Sequence, residues 1–288
     1  MGKKEHTLLY SYKRLHRQRR HYDGGACLTH CKSAYMAGNS CSYRWQAVHR
    51  AQHEDLEIYK GEFRLHRPVA RSKSYVRSLV KNGSARVASA AAQGERLEVV
   101  GIPFKTSFSP WPNNAHHLLP VGTLHKAIDS ISSNNRNITI RIIQDLLINK
   151  YNINYFVNMM ILPQRASDSY RLGLPTHPGF AKGRRARIAT HSDYSKKVRT
   201  KVMAIMRPYS NWTKNACTNP PEGKDIVDKL NQFSKKLHDA IVSDSARSYF
   251  RSMHEHRMNK LDKGKPGSVD AMCINTKFFR DIVAHVCI

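Results

Sequence analysis

The stretch "WPNNAHHLLP", residues 111–120, places two histidines side by side between a proline-and-asparagine run and a short apolar one. On an extended strand consecutive side chains point to opposite faces, so His116 and His117 are expected to meet different surroundings and serve different ends. Upstream, "RLEVVGIPFKTSF" (96–108) is rich in β-branched and aromatic residues and predicts a strand leading into the histidines. Downstream, "NITIRIIQDLLINK" (137–150) sets Ile138, Ile142 and Leu146, with Ile143 and Leu147, at helical spacing. "NMMILP" (158–163) then predicts a second short strand.

Beyond it lies a polar loop, "QRASDSYRLGLPTHPGFAKGRRARIAT" (164–190), which ends at a helix start. Ser192 or Asp193 supplies a cap, and Tyr194, Val198, Val202 and Ile205 recur at helical spacing until Pro208 closes the segment. A further amphipathic helix is expected over "PEGKDIVDKLNQFSKKLHDAIV" (221–242), with Ile226, Leu230, Phe233, Leu237 and Ile241 on its buried side. The region before residue 95 reads as irregular or partly helical, ending in the small-residue stretch "NGSARVASAAAQGE" (82–95), a flexible connection or a helix. Three regions follow: a basic N-terminal region (1–95), a central unit (96–207) and a helical C-terminal extension (208–288).

Charge narrows the partner. Across 288 residues, 48 Lys and Arg stand against 21 Asp and Glu, a formal charge of +27 that favours a polyanion. The basic residues cluster in "KRLHRQRRH" (13–21) and "KGRRARIATHSDYSKKVRTK" (182–201). Either run alone has solvated surface as its alternative reading; together with the global excess they point to phosphate contact. Six cysteines are too sparse for a disulfide scaffold, and Cys27, His30, Cys31 and Cys41 make at best an incomplete zinc pattern, with free thiols the simpler reading. "TLLYSY" (7–12) is too short for a secretory h-region, and no apolar run approaches the ~18 residues of a membrane span.

The chain order is therefore a strand with His116 and His117, a helical insertion, a strand opening at Asn158, a loop with His177, and a helix preceded by His191. That is the layout of a ββα-metal site. Phosphodiester cleavage needs a cation against the charge that develops on phosphorus and the leaving oxygen, and a base for water. Adjacent imidazoles divide that work, one facing a metal and the other a water. Three imidazoles suit zinc, whereas two completed by phosphate and water also admit magnesium.

"NAHHLLPV" (114–121), "NINYFVNMMILP" (152–163), "LPTHPG" (174–179) and "THSDYSKKV" (190–198) resemble the AHH nuclease domain of the HNH/endonuclease VII superfamily, found in bacterial polymorphic toxins and secretion-system effectors. The resemblance covers roughly residues 100–207. It implies an α+β fold with a ββα-metal, HNH-like core and mainly helical N- and C-terminal additions. His116 would be a metal ligand, His117 the general base, and Asn158 the asparagine that holds the base and the strand pair. His191, or else His177, would be the further ligand to a divalent ion, Mg or Zn, and Tyr194 the family's aromatic. The sequence departs from the family in the basic insert "PGFAKGRRARIAT" (178–190), which separates the two late histidines.

Arg184, Arg185, Arg187, Lys196 and Lys197 would grip DNA phosphates. Asn154 reads as a cap on the connection, and His125, His238, His254 and His256 carry no assigned role. The family context implies a toxin made in the bacterial cytoplasm and exported without a signal peptide into a target cell. It also implies an acidic immunity protein as partner, and residues 1–95 as a loading segment for a secretion-apparatus carrier. The rival expectation is a non-catalytic nucleic-acid-binding protein, ribosome- or DNA-associated.

Overall fold

The structure, a computed structural model, describes residues 25–29, 34–64, 85–89, 96–99, 104–107, 111–177, 192–214 and 221–261. It is an α+β arrangement in which helices surround a two-stranded antiparallel sheet. The strands are β4 (Asn113–His117) and β5 (Met159–Pro163), in a register that sets His117 opposite Met159 and His116 opposite Met160. Every residue of β5 is buried. An uninterrupted apolar run is what a strand covered on both faces requires.

A separate three-stranded antiparallel sheet is formed by β1 (Gly61–Arg64), β2 (Ala85–Ser89) and β3 (Arg96–Val99), with β3 in the centre. Two expectations are corrected here. The strand expected over 96–108 covers Arg96–Val99, where it pairs with β1 and β2, and residues 104–107 form a turn instead. The stretch expected to be a connection or a helix contains β2.

The helix α1 (Tyr43–His53) starts where Ser42 accepts a hydrogen bond from the Trp45 amide at 3.2 Å, a side-chain cap on an otherwise unpaired donor. The short α2 (Leu56–Tyr59) follows. Between β4 and β5 the chain makes two helices where the sequence pattern showed one: α3 (Val121–Ile131) and α4 (Arg136–Ile148). The expected helix is α4, capped by Asn135, whose side chain accepts from the amides of Asn137 and Ile138. Ser133 and Asn134, both in the left-handed region, turn the chain between α3 and α4.

The polar loop after β5 contains a helix of its own, α5 (Ala166–Leu172), closed by Gly173 at φ +65. A side chain at Gly173 would be strained by that φ and would also press on Arg247, whose Cβ lies 2.9 Å from the position a Cβ would take. The helix expected after residue 191 is α6 (Ser192–Ile205), with Tyr194, Val198 and Val202 buried. Pro208 does not simply end it; after a turn at Met206 the proline sits in the first turn of α7 (Arg207–Lys214), where its missing amide proton costs nothing. Then come α8 (Gly223–Val242), with its five expected apolar residues buried, and α9 (Asp244–Leu261).

One hydrophobic cluster runs from Ala26 to Phe250 and includes Tyr59, Trp111, Leu118, Ile161, Val198 and Phe233. Among the described residues no helix is long and apolar enough to cross a membrane.

Candidate active site

The site is built on the C-terminal end of β4, where the pleat sorts the side chains as the alternation rule demands. Asn114 and His116 share one face. There Asn114 Nδ2 lies 3.1 Å from His177 Nδ1, and the rings of His116 and His177 meet edge to face with centroids 5.0 Å apart. Asn113, Ala115 and His117 share the other face, toward α1. The Arg44 guanidinium donates to Asn113 Oδ1, and the Tyr43 ring lies 5.3 Å from that of His117. His116 and His117 are 7% and 6% exposed, so neither is a solvated surface histidine.

His177 reaches the sheet because the loop after α5 turns back onto β5, the His177 amide donating to Pro163 O at 2.7 Å. His117 is held by a residue that read only as a cap: its Nε2 lies 2.9 Å from Asn154 Oδ1. Asn154 in turn donates through Nδ2 to Thr29 O at 3.0 Å and to Cys27 Sγ at 3.2 Å.

Asn158 stitches the exit of β4 to the entry of β5. Its backbone carbonyl accepts from the Leu118 amide, its Oδ1 accepts from the Leu119 amide at 2.6 Å and from Ser234 Oγ at 2.9 Å, and its Nδ2 donates to Leu119 O and Ile153 O. Both amide protons and both acceptor positions of the side chain are used, which a buried amide needs if it is not to cost stability. It reaches the residues directly after His117.

The helix α6 closes the same end of the strand: the buried Tyr194 donates its hydroxyl proton to Leu118 O. His191, one residue before α6, and Arg184, Arg185 and Arg187 lie outside the described residues. Lys196, exposed, and Lys197, half-buried, lie on the first turns of α6.

Buried cations in α1 brace the floor of the site. Arg44 donates to Phe104 O and Thr106 O as well as to Asn113, and burial pulls its guanidinium down to about 10, still charged at neutral pH. Arg50, 1% exposed, donates to Val157 O at 2.7 Å, beside the Asn158 clamp. Tyr59 donates to Ile161 O at 2.8 Å, fixing the middle of β5. The period of two along a strand could have placed Asn114 on the face of His116; Asn154, Arg44 and Arg50 act across the fold and leave no local signature.

The fit to a divalent ion rests on His116 and His177. Neutral imidazoles suit a borderline transition ion, and the edge-to-face pair brings two of them together on one face. Ligation through Nε2 of His177 requires a proton on Nδ1 and therefore the carbonyl end of the Asn114 amide facing it. The two ends of the amide are isosteric, so that arrangement occupies the same packing. Among the described residues no group of three or more His, Cys, Asp or Glu is arranged around a metal position. Cys27 and Cys41 are buried, and His30 and Cys31 lie outside the described residues.

No protein-family model matches this chain, and neither a curated protein nor a solved structure matches it.

Proposed function

We propose that this chain is a metal-dependent endonuclease of HNH type that hydrolyses phosphodiester bonds in DNA. In this reading β4 and β5 are the strand pair of a ββα-metal core and α6 is its helix. The observation that carries it is the division of the tandem histidines: His116 meets His177 on one face of β4, while His117 is tied through Nε2 to Asn154 on the other.

His117 removes a proton from water, which attacks phosphorus in line as the 3′ oxygen departs. A divalent ion, Mg or Zn, held by His116 with His177 or His191, supplies when bound the charge neutralisation that the phosphate oxygens need. Asn158 keeps the strand exit in register, so that both imidazoles stay at the end of β4. Lys196 and Lys197, with Arg184, Arg185 and Arg187, contact backbone phosphates, and the substrate is read by charge more than by base sequence.

The resemblance extends the proposal to an antibacterial toxin effector of a type VI or similar secretion system, made in the bacterial cytoplasm. An acidic immunity protein would cover the basic face by complementary charge. The test is nicking of supercoiled plasmid by the purified full chain. Cleavage is expected with Mg or Zn, abolished by chelator and restored by added ion; no nicking with any divalent ion, or nicking indifferent to chelator, contradicts the proposal.

The second reading, a non-catalytic nucleic-acid-binding protein, draws on the lack of a three-ligand group among the described residues and on the +27 charge. It expects salt-sensitive DNA binding without any cleavage.

A further inference from the structure

The side chain of Asn154 is completely buried and sits between two parts of the chain far apart in sequence. Toward the leading segment its Nδ2 faces Thr29 O at 3.0 Å and Cys27 Sγ at 3.2 Å. A peptide carbonyl accepts and never donates, so this contact fixes which end of the amide is nitrogen. The opposite end, Oδ1, is left facing His117 Nε2 at 2.9 Å. An amide oxygen also accepts only, so the ring must present Nε2–H, and a neutral imidazole protonated there carries its basic lone pair on Nδ1.

The loop that carries Asn154 is itself pinned. The Asn154 amide donates to Asn152 Oδ1 at 2.9 Å, Asn152 Nδ2 reaches Ser40 O at 2.9 Å, and residues 27 and 152 form a parallel bridge with Cys27 N to Tyr151 O at 3.0 Å and Ile153 N to Cys27 O at 2.7 Å. Each hydrogen bond in the series restricts the next, ending at the imidazole.

We infer that Asn154 is a positioning residue that holds His117 in the Nε2–H tautomer, and that residues 25–29 set Asn154 in place. The catalytic consequence rests on the nuclease reading; the tautomer does not. Nδ1 is thereby the nitrogen that takes the proton from water, and the leading segment belongs to the working site as well as to any loading function. Sequence distance hides the arrangement, because Asn154 and Thr29 are 125 positions apart.

Long-range proton–nitrogen NMR on the full chain with labelled histidine, above the ordinary histidine pKa of about 6.5, tests it directly. In the unchanged protein His117 is expected to show a pyrrole-type Nε2, a pyridine-type Nδ1 and a slowly exchanging Hε2. In Asn154→Ala the slow exchange is lost and the two tautomers mix. On plasmid DNA the same variant is expected to lose about 10²-fold in kcat at an unchanged KM, the signature of a misplaced base.

A proton found on Nδ1 of His117 in the unchanged protein, or an Hε2 equally protected in Asn154→Ala, overturns the inference. Should the variant not fold, the unchanged protein decides alone by where it carries the proton and how slowly that proton exchanges. If the NMR result is as expected but the unchanged protein leaves DNA intact, the nuclease reading fails and the tie between Asn154 and His117 stands.

Discussion

Asn158 has four side-chain hydrogen-bond partners, drawn from residues 119, 153 and 234, and none of them is solvent. Replacing it with alanine strands the Leu119 amide and two carbonyls in a dry interior, where each unmet group costs about 1–3 kcal/mol. Asn158→Ala is therefore expected to lose about 3 kcal/mol or more in urea denaturation, whether or not the chain cleaves DNA; a loss below about 0.5 kcal/mol would remove it as a clamp. At this scale the sequence showed which histidines to watch, because a tandem pair on a strand must divide between two faces. It did not show what holds them. Asn154 read only as a cap in sequence, and its tie to His117 becomes visible only with the approach of residues 27–29.

Among the elements, β5, α4, α6 and α8 were legible because each carries an unbroken apolar period with a recognisable start. The helix α3 was not. Its buried apolar residues, Val121, Leu124, Ala127, Ile128 and Ile131, keep helical spacing, but Gly122, Thr123 and His125 dilute the pattern and Pro120 at its start offers no side-chain cap. The three-stranded sheet was obscured for a different reason. Short strands gain stability from their neighbours, and β3 finds its partners some 10 and 35 residues upstream, not in the histidine strand that follows it. Helix-to-helix joints were likewise invisible: His238 on α8, given no role from the sequence, lies with Nε2 2.9 Å from Asp55 Oδ2 in the turn between α1 and α2, and Arg50 Nε is 3.6 Å from the same oxygen. Both partners of the Asp55–His238 pair are nearly inaccessible to solvent. Removing one partner leaves the other buried without it, so Asp55→Ala is expected to cost about 3–5 kcal/mol. A double-mutant cycle with His238→Ala should return a coupling of about 1–3 kcal/mol, and additive losses would show that the pair does not join these elements.

On the scale of the whole molecule, the core does not divide at residues 95 and 207, where composition suggested boundaries. Arg44, Arg50 and Tyr59 come from before the first position, and Ser234 and Phe233 from after the second, yet all pack on or bond to the strand pair and its connections. A fragment of residues 96–207 is accordingly expected to show no cooperative thermal transition under conditions where the full chain shows one; an equally sharp transition in the fragment would mean that the flanking regions are dispensable. The +27 charge remains the reason to look for a phosphate-bearing partner. In the proposed reading the pair at 116 and 117 is what would make a basic protein an enzyme, and the most direct measurement is the rate of plasmid cleavage by His117→Ala beside the unchanged chain, with divalent ion present and DNA affinity measured in parallel. The expected result is a fall of about 10²-fold or more in cleavage with affinity preserved. Equal rates from the two proteins, or no cleavage by either, would leave a cationic DNA-binding protein in place of a nuclease.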